Sequence, residues 1–164
     1  MVREGVWTVK RIHLILKCLE ENPLLENMPY IEDFMTKEAV STDAGDSCLE
    51  AAKLMVRMNI GAIVVSEGDR PVGIVTERDF LNKVTASGKD PSKTALREIM
   101  SSPPVTISPK ATVRDAARMM IEKGVRRLVV VENDKLVGIV SIIDITRILV
   151  GSMAAWKEAR VTLE

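Results

Sequence analysis

The sequence predicts a mixed α/β fold, α+β in arrangement, in which one unit of strand, helix, strand, strand and helix occurs twice. Three observations carry this. Sliding the chain against itself by 65 positions pairs Met35 with Met100, Val40 with Val105, Ala51 and Ala52 with Ala116 and Ala117, Met55 with Met120, and Val72 to Val75 with Val137 to Val140, without a gap from residue 35 to residue 82. Within each copy the apolar spacing switches from a helical to an extended period. Two copies, at a period longer than that of solenoid repeats, point to a duplicated supersecondary unit with pseudo-twofold symmetry, each half finishing the core of the other.

Val40 and Val105 open the first strand of each copy. Ser47-x-x-Glu50 and Thr112-x-x-Asp115 then read as capping boxes that start a helix. Cys48, Ala51, Ala52 and Met55, matched by Val113, Ala116, Ala117 and Met120, fall at i, i+3, i+4 and i+7, so each helix buries one face. Asn59 and Gly124 end these helices, because both residue types tolerate the left-handed conformation of a C-cap. Ile60 to Val65 and Val125 to Val131 are rich in β-branched residues; each is followed by a polar turn, at 67–70 and 132–135, and by a strand ending in Gly-Ile-Val, which makes a hairpin. Thr76 and Ser141 open the second helix of each copy.

Outside the repeat, Val9, Ile12, Ile15, Leu16 and Leu19 form an amphipathic helical stripe over residues 8–21, halted near Pro23. Ile145, Ile148, Leu149, Met153 and Trp156 carry the last helix past Gly151. The predicted division is an N-terminal helical extension at 1–30, a first domain at 31–82, a linker at 83–97, a second domain at 98–150 and a C-terminal helical extension at 151–164. Apolar helical stripes usually bury in a core, so the extensions are expected to pack on each other or across a dimer.

A chain of 164 residues with 46% hydrophobic side chains and zero formal net charge can bury a core. The first 27 residues carry four basic and four acidic side chains, so no basic arm exists and nucleic acid is not an expected partner. No apolar run approaches the roughly 18 residues of a membrane span, and no secretory leader opens the chain, so a cytoplasmic protein is expected. Cys18 and Cys48 stand in no CxxC pattern and His13 is the one histidine, which leaves neither a zinc site nor a disulfide framework. The absence of glutamine and the scarcity of asparagine fit a thermophilic source. No nucleophile, base and orienting group recur at motif spacing and no P-loop occurs, so neither catalysis nor a catalytic cofactor is expected.

The recurring stretch that bears on function is GIVTERD at 73–79, written again as GIVSIID at 138–144. Thr76-x-x-Asp79 and Ser141-x-x-Asp144 satisfy helix capping. Capping alone leaves unexplained why Gly73 and Gly138 sit inside aliphatic strands, where glycine usually marks a close approach by backbone or ligand. A helix N-terminus offers N–H groups to an anion, and an aspartate one turn inside can accept from two neighbouring hydroxyls such as a ribose diol. A ribonucleotide fits that set.

On these motifs, together with the Met-Thr and Met-Ser starts at 35 and 100 and the Gly-Val-Arg-Arg-Leu-Val-Val-Val run at 124–131, residues 35–82 and 100–147 resemble a tandem pair of cystathionine-β-synthase (CBS) domains. The resemblance implies a regulatory module whose clefts bind AMP, ADP or ATP, or another adenosyl ligand such as NAD or S-adenosylmethionine, and whose pairs stack as a homodimer. It also implies two sites. Site A combines Thr76 and Asp79 with Val105, Val125, Arg126 and Arg127; site B combines Ser141 and Asp144 with Val40, Ile60, Gly61 and Ala62. Only site A brings arginines, whose guanidinium fork matches a phosphate, so phosphorylated ligands are expected there. The alternative reading is an interaction scaffold that recruits an effector protein through its terminal helices.

Overall fold

The computed structural model describes residues 29–148, 150 and 151; the expectations for residues 8–21, for both tryptophans, and for Cys18 and His13 lie outside the described residues. The element order is β1 (Ser41–Asp43), α1 (Cys48–Met58), β2 (Ala62–Glu67), β3 (Arg70–Thr76), α2 (Glu77–Asp79), β4 (Thr106–Ile107), α3 (Val113–Lys123), β5 (Arg127–Glu132) and β6 (Lys135–Ser141). A closing helix, α4, occupies 142–148. The strands form two three-stranded sheets, ordered β1-β2-β3 and β4-β5-β6. This is the α+β repeat that the sequence predicts.

The internal duplication extends to individual hydrogen bonds. Val64 N–H donates to the Val40 carbonyl at 3.0 Å and Val129 N–H to that of Val105 at 3.0 Å; Ile60 donates to Met55 at 3.0 Å and Val125 to Met120 at 2.9 Å. Both helix ends are left-handed, with φ of 52° at Asn59 and 64° at Gly124, as the residue types demand. The helix starts differ. At Thr112 the capping box is complete: its hydroxyl oxygen accepts from Asp115 N–H at 3.2 Å, and the Asp115 carboxylate accepts from Thr112 N–H at 2.9 Å. At Ser47 only the first half exists, with Glu50 N–H at 3.3 Å, because the Glu50 carboxylate pairs with Lys53 at 2.8 Å instead.

Two compact units are distinguished, one gathering Thr36–Thr106 with Val129–Gly138 and the other the described parts of 1–35, 107–128 and 139–164. In the first, Cys48, Ala51 and Met55 of α1 share a buried cluster with Ile63, Val65 and Val75 of the sheet and with Val84, Leu96 and Ile99. Each such aliphatic side chain contributes about 1.5–3 kcal/mol on burial. Ile63, Val64 and Val65 are all buried, so β2 is covered on both faces and reads as an unbroken apolar run. In the second unit Ile31, Val113, Ala116, Ala117, Met120, Leu128, Val140 and Ile145 are buried, which includes the whole predicted face of α3.

Residues 83–97 do more than span two copies. Cys48 N–H donates to the Thr94 carbonyl at 2.8 Å and Leu49 N–H to that of Pro91 at 2.9 Å, while Leu96 is fully buried. These carbonyls satisfy N–H groups at the start of α1 that have no partner within the helix. The segment therefore completes the cap that Ser47 begins.

Gly73 has a structural cause. A Cβ built on it would lie 2.5 Å from Met100 Sδ and 3.0 Å and 3.1 Å from Met100 Cγ and Cβ. Met100 is held there because the chain pairs with the outer edge of β3, Ser101 N–H donating to the Ile74 carbonyl at 2.9 Å and Ile74 N–H to that of Ser101 at 3.1 Å. The close approach anticipated at this glycine is thus made by a methionine side chain. Gly73→Ala should lower unfolding stability by about 1–3 kcal/mol, as overpacking does. Chemical denaturation of Gly73→Ala, Met100→Ala and the double variant checks it: the double variant should be more stable than the sum of the two losses allows, and strict additivity would show that Met100 is not the obstacle.

Candidate functional site

The two Ser/Thr-x-x-Asp turns sit where a hairpin strand feeds a helix. Ala62, the first residue of β2, is the cross-strand partner of Thr76, the last residue of β3. The chain then turns into α2, and Glu77 N–H donates to the Gly61 carbonyl at 3.4 Å. In the second copy Ile142 N–H donates to the Arg126 carbonyl at 3.0 Å. In both copies, therefore, the first helical N–H is already committed to the residue that leads into the neighbouring strand.

The aspartates turn back on the strand ends. Asp79 Oδ2 accepts from Thr76 N–H at 2.9 Å and from Thr76 Oγ1–H at 2.6 Å. Asp144 Oδ2 accepts from Ser141 N–H at 2.8 Å and from Ser141 Oγ–H at 2.6 Å. Capping is thus present in both copies, and it uses one carboxylate oxygen, leaving the other for a different partner. The two carboxylates are similarly screened, with side-chain exposures of 15% for Asp79 and 18% for Asp144.

Their second oxygens differ. Lys83 Nζ reaches Asp79 Oδ1 at 2.7 Å and also donates to the Ile99 carbonyl at 2.6 Å. In the second copy, among the described residues, Asp144 Oδ1 pairs with Arg147, at 3.8 Å and 78% exposed, beyond hydrogen-bond reach. Burial pushes the Asp79 carboxyl up, but the bonds from Lys83 and Thr76 outweigh it and hold the group below the ordinary aspartate value. The helix carrying Lys83 also departs from α geometry. Phe80–Thr85 is π-helical, whereas residues 142–148 remain α-helical.

The first unit holds Val40, Ile60, Gly61, Ala62, Thr76, Asp79 and Val105, and the second holds Val125, Arg126, Arg127, Ser141 and Asp144. Each unit therefore brings its own turn together with the strand start of the same repeat. Lys83 was not among the site residues that the sequence singled out. Its signal was present in the i, i+4 spacing from Asp79, at which an acid and a base meet on a helix surface.

The first unit also carries a hollow of about 450 Å³ beside this turn, lined by Ala52, Met55, Val56, Gly61, Glu77 and Phe80. Apolar surface continues around it: Val56 is 82% exposed, and Met58 and Leu81 are exposed. Among the described residues, no cluster of three or more His, Cys, Asp or Glu could hold a metal ion, and no helix is long and apolar enough to cross a membrane.

Comparison with known proteins places this geometry. An uncharacterized protein of Methanopyrus kandleri is 39% identical over 114 residues, which cover 68% of this chain and 58% of that protein, so the match spans less than two thirds of the relative's length. The CBS domain-containing protein YhcV of Bacillus subtilis is 36% identical over 118 residues, covering 72% of this chain and 84% of that one. The crystal structure of the CBS domain pair of protein MJ0100, in complex with 5′-methylthioadenosine and S-adenosyl-L-methionine, superposes with a TM-score of 0.70 at 27% identity over 76% of this chain and 98% of that chain. The family model for the CBS domain matches twice, at residues 31–86 and 96–151, which together exceed half of the sequence. The duplicated hairpin-and-turn unit is a CBS domain, and this chain belongs to the CBS-domain family as a tandem pair.

Proposed function

We propose that this CBS pair is a cytoplasmic regulatory sensor of adenine nucleotides, acting through binding and not through catalysis. The observation that carries the reading is the twice-repeated screened carboxylate, tied by one oxygen to its strand end, with the second oxygen met by Lys83 at Asp79 and open to a donor at Asp144, an arrangement suited to a ribose diol. The complex of the similar MJ0100 pair with two adenosyl compounds supports the adenosyl class, and S-adenosylmethionine and NAD are the alternative ligands within it. The proposed clefts are those the family implies: Thr76 and Asp79 with Val105, Val125, Arg126 and Arg127, and Ser141 and Asp144 with Val40, Ile60, Gly61 and Ala62. The first takes AMP, ADP or ATP through its arginines, whose charge-assisted bonds favour a phosphate.

The exposed apolar surface around Val56, Met58 and Leu81 is proposed to pair with a second copy, giving a homodimer. An effector protein is the alternative occupant of that face.

AMP, ATP or S-adenosylmethionine at about 100 times its dissociation constant should stabilise the fold by about 2.7 kcal/mol. A thermal-shift panel reads this as a rise of several degrees; equal shifts with GMP would remove the adenine assignment. Calorimetric titration should show Arg127→Ala weakening AMP by about one to two orders of magnitude while sparing adenosine, since hydrogen bonds to charged groups contribute about 1.5–3 kcal/mol. Loss of adenosine and AMP alike would mean that Arg127 supports the fold of the cleft and not the phosphate. In light scattering, Val56→Asp should convert a dimer to a folded 18.1 kDa monomer; a wild-type protein that is already monomeric would refute the pairing.

A further inference from the structure

We propose that Lys83 is a specificity-determining residue of the first repeat, closing Asp79 to a ribose diol so that an adenosyl ligand without a phosphate fills the Asp144 cleft first. The inference rests on the adenosyl-ligand reading above and concerns how the two clefts differ. A carboxylate oxygen offers two lone pairs, and a diol brings two donors. In both copies Oδ2 is spent on the strand-end hydroxyl and N–H. Asp144 Oδ1 can then receive both hydroxyls of a diol, because Arg147 stands 3.8 Å away and in solvent. Asp79 Oδ1 already receives Lys83 Nζ at 2.7 Å, so a diol must displace the ammonium or share the oxygen with it.

Three features make Lys83 a fixed partner. Its Nζ is anchored a second time, 2.6 Å from the Ile99 carbonyl. Ile99 is fully buried and Val84, the next residue, is in the same core cluster, so both ends of the lysine stem are set by packed structure. The π-helical register of Phe80–Thr85 carries the lysine, and such irregular turns occur frequently at functional sites. Sixty-five positions on, the residue equivalent to Lys83 is Ile148, which cannot donate. Four residues after the aspartate, the duplicated motif thus carries a charge in one copy and an aliphatic side chain in the other. A phosphorylated ligand has a second source of binding in the proposed Arg126 and Arg127 contact and can open the first cleft; a bare nucleoside has none.

The test uses the full chain, with Lys83→Ile to install the second repeat's residue and Lys83→Gln to keep a donor toward the Ile99 carbonyl while removing the charge. Calorimetry with adenosine should give one event per chain in the wild type, abolished by Asp144→Ala. Both Lys83 variants should add a second event, lost in turn with Asp79→Ala, with affinity at the first cleft raised about tenfold, the scale of one charge-assisted hydrogen bond. A ligand-free readout accompanies it: the Asp79 carboxyl, followed by NMR, should titrate at higher pH in both variants. An unmoved Asp79 titration would show that Lys83 does not hold the carboxylate and would overturn the inference. So would adenosine binding at Asp144 that neither variant extends to Asp79, with the ligand reading intact. Reduced binding in both variants would make Lys83 a ligand contact, also overturning it. No adenosyl binding in any variant would overturn the ligand reading and this inference together, even with the expected shift of Asp79.

Discussion

At the working end of each repeat, a carboxylate three residues into a helix accepts from both the hydroxyl and the N–H of the last strand residue. That pair of bonds, 2.6 and 2.9 Å at Thr76 and 2.6 and 2.8 Å at Ser141, fixes the angle at which the helix leaves the hairpin. It also immobilises the aspartate in a site that is more than four-fifths screened, where a mobile side chain would otherwise cost rotamer entropy on binding. Capping and the proposed ligand reception are therefore two uses of one group. The first oxygen sets geometry, and the second is presented by the geometry so set.

This coupling explains why a single charged neighbour matters. The strand-end bonds are the same in both copies to within about 0.1 Å, so they do not distinguish the two turns, whereas the surroundings of the second oxygen do. Lys83 supplies that difference in the first copy, and in the second the residue at its place is aliphatic. The ion pair is also a stability element, with Asp79 held below its ordinary value. A carboxyl depressed in the folded state gives a stabilisation present above the unfolded-state value and lost as pH falls through the folded one. Whatever displaces the lysine must offset that contribution, which is why the proposed first cleft is assigned to ligands that bring an additional anchor.

Much of this was legible in the sequence. The 65-residue offset, the helix faces, the left-handed C-caps at Asn59 and Gly124 and the hairpins follow from local patterning, and the structure contains them, with Ala52 half-buried on the α1 face and the first hairpin strands starting at Ala62 and Arg127, two residues after the expected Ile60 and Val125. The part that was not legible depends on longer reach or finer register. Glu50 satisfies the sequence rule for a capping box, yet Lys53 competes for it, and a rule based on spacing does not rank two partners. The π-helical turn at Phe80–Thr85 shifts a hydrogen bond by one residue without altering composition. Lys83 stands at the boundary assigned to a linker, and its second anchor, Ile99, is sixteen residues away, so its importance is visible only once the intervening segment is folded onto its own unit.

Gly73 marks the limit of reading function from a repeated motif. The glycine belongs to a signature shared by the two Ser/Thr-x-x-Asp turns, and its position inside a strand suggests room for a ligand. The structure fills that room with Met100, held by a two-way backbone bridge between Ile74 and Ser101. In the first copy the glycine thus answers a packing need: β3 stays bare on one face so that the chain entering the second repeat can lie against it. Because that contact fixes β3 just before Thr76, it positions the same corner that orients Asp79. Gly73 can therefore help set where the Asp79 carboxylate stands through packing alone, without any contact of its own to the turn's carboxylate.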